Sequence, residues 1–167
     1  MGVGGAIYAN NNTNNKYPVT INAVGKNVEF TNNRQGVSDT RTGGTYNDIT
    51  LAKSETGNKT MLNLNASEGK TITFNGTVVS TDSNPIIVLN NHATYKGGDY
   101  IFNNTVSGGF VDVHNGANIK LGSHEQTNGT TSYGSFNVAQ FTTDANVTSI
   151  DSKNGYTEGT ASSSTRM

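Results

Sequence analysis

Apolar side chains along this chain recur at every second position in short bursts, and Asn, Thr, Gly and Ser separate the bursts. Val19, Ile21 and Ala23 alternate with Thr20 and Asn22. A repeat of two places successive side chains on opposite faces, so this stretch predicts a half-buried strand from Val19 to Val24. Val28 and Phe30 flank Glu29 in the same way, and Ile49 and Leu51 share a face in a strand expected from Asp48 to Ala52. Further strands are predicted over 4–9, 61–64, 70–74, 100–102, 110–113, 117–121, 135–141 and 147–150. Pro85 to Leu89 is the most continuous apolar run, which suits a strand buried on both faces. Residues 33–47 and 123–134 are polar and without alternation, and read as loops. No segment carries apolar residues at i, i+3, i+4 and i+7, so no amphipathic helix is expected.

The bursts share an ending. Phe30-Thr31-Asn32-Asn33, Phe74-Asn75-Gly76-Thr77 and Phe102-Asn103-Asn104-Thr105 each close a short strand with one Phe and then polar residues. Gly-Gly pairs recur at 4–5, 43–44, 97–98 and 108–109. A degenerate repeat of strand, Phe and Asn-rich corner predicts an all-β solenoid, a single-stranded parallel β-helix in which apolar residues fill the interior and Asn side chains bond between successive turns. A β-sandwich is the alternative, since many short strands with frequent turns also suit it. Residues 1–158 are expected to form the β domain, and 159–167 a polar, frayed tail.

Composition narrows the class. Hydrophobic residues make up 32%, charged residues 14%, and the net charge is -1. Disordered chains usually combine low hydrophobicity with high net charge, and this chain has only the first property. Lys and Arg are scattered singly, giving no electrostatic footprint for nucleic acid. There is no Cys, so disulfides do not hold the fold. No apolar run approaches the length needed for a membrane-spanning helix. The opening Met1-Gly2-Val3-Gly4 has neither the basic nor the apolar segment of a signal peptide, and leads almost directly into a strand. The chain therefore reads as an internal piece of a longer protein.

Candidate chemistry is sparse. His92, His114 and His124 form no HxH or HExxH pattern and sit at turns or loops, where metal ligation lacks convergent partners. Asp82, Asp99, Asp112, Asp144 and Asp151 are isolated in sequence, whereas glycoside hydrolysis requires paired carboxylates. No Gly-x-Ser-x-Gly elbow occurs. No catalytic, cofactor-binding or metal-ligating residue is expected. Tyr8, Tyr46, Tyr95, Tyr100, Tyr133 and Tyr156 could offer a glycan-stacking or adhesive face, and ordinary strand tyrosines are the simpler reading.

Gly4-Gly5-Ala6-Ile7 together with Phe30-Thr31-Asn32-Asn33 resembles the paired GGA(I/L/V) and FxxN motifs of polymorphic outer-membrane proteins. Gly69 to Gly76 and Ser149 to Gly155 resemble passenger domains of bacterial autotransporters (type V secretion). Phe74 and Phe102 are followed by Asn-Gly-Thr and Asn-Asn-Thr, which depart from FxxN. The resemblance implies a right-handed β-helical passenger, displayed at the outer membrane or cell surface and preceding a C-terminal β-barrel. It implies a non-catalytic structural or adhesin module that meets receptors or glycans on host or neighbouring cells, with no cofactor and no nucleic-acid partner. The alternative is a β-helical polysaccharide lyase or hydrolase.

Overall fold

In the computed structural model the described residues are 5–10, 19–36, 44–52, 61–80, 86–89, 95–113, 116–143 and 146–149. Strands and turns make up their regular structure, and no helix occurs among them. The chain makes a series of passes. The first runs through β1 (Ile7–Asn10), β2 (Val19–Ala23) and β3 (Val28–Phe30), then a short β4 (Arg34–Gln35). The second is β5 (Thr45–Ala52), β6 (Met61–Ala66) and β7 (Thr71–Phe74). The third is β8 (Thr77–Ser80), β9 (Ile86–Leu89) and β10 (Asp99–Phe102). The fourth is β11 (Thr105–Val113) and β12 (Asn118–Leu121), followed by β13 (Ser123–Glu125) and β14 (Thr131–Tyr133). The last is β15 (Ser135–Thr143) and β16 (Asn146–Ser149).

Apart from β4, β13 and β14, each strand pairs with its counterpart one pass away. One column is β1-β5-β8-β11-β15, a second is β2-β6-β9-β11-β15, and a third is β3-β7-β10-β12-β16. β11 and β15 are long enough to serve the first column with their leading halves and the second with their trailing halves. The two halves of β11 meet at Gly108-Gly109, where Gly108 has φ 119°, and the register with β15 is the same on both sides of the pair. Eleven described pairings are parallel, and only β4–β5 and β13–β14 are antiparallel. Parallel neighbours cannot be joined by a tight hairpin, so the intervening chain must cross the other columns before returning. The protein is all-β with mostly parallel sheets.

In-register stacking turns the period-two pattern into interior ladders. Ile49, Val78, Val106 and Phe136 align in the first column, Leu62, Ile87 and Val111 in the second, and Ile72, Tyr100 and Ile119 in the third. All ten are buried. Burying one such side chain contributes about 1.5–3 kcal/mol, so short strands suffice when every pass adds three or four. The Phe of the recurrent ending forms a ladder of its own. Phe74 stacks on Phe30 at 5.0 Å and on Phe102 at 5.4 Å, with the rings within 7° and 9° of parallel, and Phe136 meets Phe102 edge-on. Tyr100 lies wholly inside. Its hydroxyl donates to the Leu64 carbonyl at 2.9 Å and accepts from the Ala66 N–H at 2.7 Å, so a surface role for this tyrosine is overturned.

Two expected loops contain strands. Within 33–47 the chain forms β4 and the start of β5, and within 123–134 it forms the β13–β14 hairpin. Neither alternates apolar and polar residues, because both present mainly polar side chains. The Gly-Gly pair at 97–98 has a steric cause. Gly97 has φ 69°, and a Cβ on Gly98 would lie 2.4 Å from both Cβ and the carbonyl oxygen of Ala66. The expected 159–167 tail lies outside the described residues.

Candidate functional site

Among the described residues Asp48 is the one charged side chain that is buried. Between β5 and β8 the register shifts, with Asn47 opposite Thr77 but Ile49 opposite Val78. Asp48 is therefore the extra residue of a β-bulge, a device that re-aims one side chain. It is fully buried, at 0% exposure. One carboxylate oxygen accepts from Asn33 Nδ2 at 2.8 Å and the other from the Gly76 N–H at 2.7 Å. No salt bridge reaches it among the described residues. Burial pushes its carboxyl above the usual carboxylate range, against the hydrogen bonds from Asn33, Gly76 and Asn75 and the charge of His124.

Asn47 beside it is also buried. Its Oδ1 accepts from the Gly5 N–H at 3.0 Å and from Thr50 Oγ1 at 3.1 Å, and its Nδ2 donates to Thr77 Oγ1 at 2.9 Å. The Asn47 N–H bonds the Asn33 carbonyl, and the Ala6 N–H bonds the Asp48 carbonyl. A Cβ on Gly5 would sit 1.4 Å from the Asn47 carbonyl oxygen, so only glycine fits. Gly5-Ala6 and Asn33, from the two short motifs singled out in the sequence, thus meet on Asn47 and Asp48.

The same corner carries the polar residues that follow each Phe. Asn103 Nδ2 donates to Asn75 Oδ1 at 2.7 Å, and Asn75 Nδ2 donates to Glu29 at 2.8 Å. The β13–β14 hairpin lies on these turns. Gln126 Nε2 donates to the Asn75 carbonyl at 2.6 Å and Ser132 Oγ to the Asn103 carbonyl at 2.7 Å. Gln126 Oε1 is buried and has no hydrogen-bond partner. At the outer rim the Arg34 guanidinium lies 4.4 Å over the Tyr46 ring and donates both to the Tyr46 hydroxyl and to Thr127 Oγ1. The Asn128 N–H also donates to the Tyr46 hydroxyl, at 3.0 Å. Desolvation opposes ionisation of this phenol. The hydrogen bonds from Thr127 and Asn128 and the charge and hydrogen bond of Arg34 outweigh it, and together they hold the phenol below its ordinary value.

Of the residues weighed from sequence, His124 and Tyr46 belong to this corner. Asp99 lies elsewhere, on β10, where it pairs with Lys120 at 2.5 Å and accepts from Asn118 at 3.2 Å. Tyr8 is exposed on β1. His92, His114, Asp82, Asp144, Asp151 and Tyr156 lie outside the described residues, and Asp112 is placed only as a position in β11. Among the described residues no group of three or more His, Asp or Glu side chains could hold a metal ion. Asp48 was missed by sequence reasoning because its burial comes from segments far along the chain. The corner is built mainly from amide and hydroxyl side chains bonded to one another and to backbone, with one buried carboxylate at its centre. No protein-family model, curated protein or solved structure matches the chain.

Proposed function

We propose that this chain is a stretch of a right-handed parallel β-helix that serves as a surface-display and attachment module, part of a bacterial autotransporter-like passenger and not a catalyst. The observation that carries this reading is the in-register repetition of three strand columns over successive passes, with apolar ladders inside. Such a stack is extended by adding passes, each contributing contacts only to its neighbours, which suits a long projecting stalk. The meeting of Gly5 and Asn33 at Asn47 and Asp48 supports it further, since it gives the two resembling motifs a shared structural task. The partners would be adjoining passes, a C-terminal β-barrel, and receptors or glycans on another cell.

The test is display. Residues 1–158 are placed between a secretion signal and an autotransporter barrel in a Gram-negative host. The reading expects the segment to reach the cell surface in a protease-resistant, folded form and to raise attachment to epithelial cells or a glycan array above that of the barrel alone. A segment retained in the periplasm, or displayed with no gain in attachment, would overturn it.

A further inference from the structure

The tripeptide Asn-x-Ser/Thr, with x not proline, is the acceptor pattern for N-linked sugars. A chain so rich in Asn and Thr contains it by composition alone, and the fold sorts its occurrences. Among the residues whose side chains are described it stands at Asn65, Asn75, Asn103 and Asn128. The first three are buried, and in each the Nδ2 that would carry a sugar is engaged. Asn65 Nδ2 donates to Asn22 at 2.9 Å, Asn75 Nδ2 to Glu29 at 2.8 Å, and Asn103 Nδ2 to Asn75 at 2.7 Å. Two of the hydroxyls are also committed elsewhere. Thr77 Oγ1 donates to the Tyr46 carbonyl at 3.2 Å, and Thr105 Oγ1 shares a hydrogen bond with Ser135 Oγ at 3.1 Å.

Asn128-Gly129-Thr130 differs in each respect. It lies at the tip of the β13–β14 hairpin, where residues 127–131 are all exposed. The tip is held in one shape: the Gln126 N–H bonds the Thr130 carbonyl, the Gly129 N–H bonds the Gln126 carbonyl, and the Asn128 N–H donates to the Tyr46 hydroxyl. Asn128 Oδ1 accepts from the Thr130 N–H at 3.1 Å and from Thr130 Oγ1 at 2.7 Å. A backbone N–H can only donate, so this bond fixes which end of the amide is oxygen. No described group accepts a hydrogen bond from Nδ2. We propose that Asn128 is a site of N-linked glycosylation, taking a sugar from a glycosyl diphosphate in the hands of a transferase. An amide nitrogen is a weak nucleophile because its lone pair is shared with the carbonyl. Donors on Oδ1 favour the form in which that oxygen carries negative charge, so they ease removal of an Nδ2 proton. In the transfer Nδ2 bonds to the anomeric carbon, and the bond from that carbon to the diphosphate oxygen breaks. The diphosphate leaves with the electron pair, and the displaced Nδ2 proton passes to a base of the transferase. This assignment goes beyond the attachment reading and does not depend on it.

The experiment incubates the whole folded chain with UDP-glucose and a soluble transferase that glucosylates Asn-x-Ser/Thr, and locates each added hexose by peptide fragmentation in a mass spectrometer. Synthetic peptides spanning the four sites run alongside, and as peptides all four should accept glucose. In the folded chain Asn128 should be modified more than about tenfold faster than Asn65, Asn75 or Asn103, which must first be exposed by local opening. Asn128→Gln and Thr130→Val should abolish the adduct at this site, and Thr130→Ser should retain it. Far-UV circular dichroism of each variant confirms that the β signal is unchanged, so that loss of the adduct is not loss of the fold. A folded chain that takes no glucose at Asn128 would overturn the assignment. Equal modification of Asn75 and Asn103 in the folded chain, or an adduct that survives Thr130→Val, would do the same.

Discussion

Phe74→Ala is the substitution that most directly probes the stacked interior. Phe74 has no exposed surface and lies between two parallel rings, at 5.0 Å from Phe30 and 5.4 Å from Phe102. Truncating a buried Phe costs about 3–5 kcal/mol through lost transfer energy and the cavity left behind. Two aromatic pairs, each contributing about 0.5–1.5 kcal/mol beyond burial, place this site toward the upper part of that range. Phe30 is half-buried in the first pass and, among the described residues, stacks only on Phe74, so Phe30→Ala should cost about half as much. The assay is urea unfolding followed by far-UV circular dichroism and tyrosine fluorescence, the chain having no Trp. With a slope of about 2 kcal/mol/M, a 4 kcal/mol loss lowers the midpoint by about 2 M for Phe74→Ala. A midpoint change below about 0.5 M, or an equal loss for Phe30→Ala, would refute the idea that the central rings carry the load. A reduced slope would show that the passes no longer unfold together.

Gly98→Ala should cost about 1–3 kcal/mol, because the new methyl would lie 2.4 Å from Ala66, and thermal melting should show a drop of several degrees; Gly25→Ala, with nothing within 4 Å, should change little. Tyr100→Phe keeps the ring but removes the hydroxyl that bonds the Ala66 N–H and the Leu64 carbonyl, for an expected loss of about 1–3 kcal/mol in urea unfolding. The Tyr46 phenol should ionise below its ordinary value in an alkaline NMR titration, and Arg34→Ala should move it back upward. Because that value is lowered in the folded state, its contribution to stability grows as the pH rises through it, and a flat response across that window would contradict the donor cluster seen around the hydroxyl.

The interior was readable wherever one face of a strand is apolar and the other polar. Ile72 and Phe74, or Ile119 and Leu121, announce their strands by alternation alone, and the Phe-then-Asn ending marks the corner that follows. β5 hides this signal. Asp48 and Thr50 alternate with the inward Ile49 and Leu51, yet both are buried, with Asn33 bonded to Asp48 and Gln35 to Thr50. Burial supplied by residues tens of positions away leaves no local periodicity. The hairpin was missed for a related reason: Ser-His-Glu and Thr-Ser-Tyr offer no apolar face to count. Its one local mark is Asn128-Gly129, where Gly129 takes φ 81° in the turn. The Gly-Gly pairs were visible as a repeat, but their purpose was not. Gly5 and Gly98 are required by backbone or side-chain atoms of another pass, Asn47 and Ala66, which no reading of neighbouring residues can place.

The bond from Arg34 to Thr127 joins residues 93 apart in sequence. It ties the first pass to the hairpin that follows the fourth, skipping the passes between them. If the ends of the stack are pulled apart, the parallel ladders lie in series, and a tug can peel one from the next. The Arg34 link lies alongside them, as a strap outside a column of stacked plates. Tension must stretch this strap before the plates at that corner can separate. Cutting it with Arg34→Ala should therefore matter little at rest and more under load, so that the first rupture in single-molecule pulling comes at lower force.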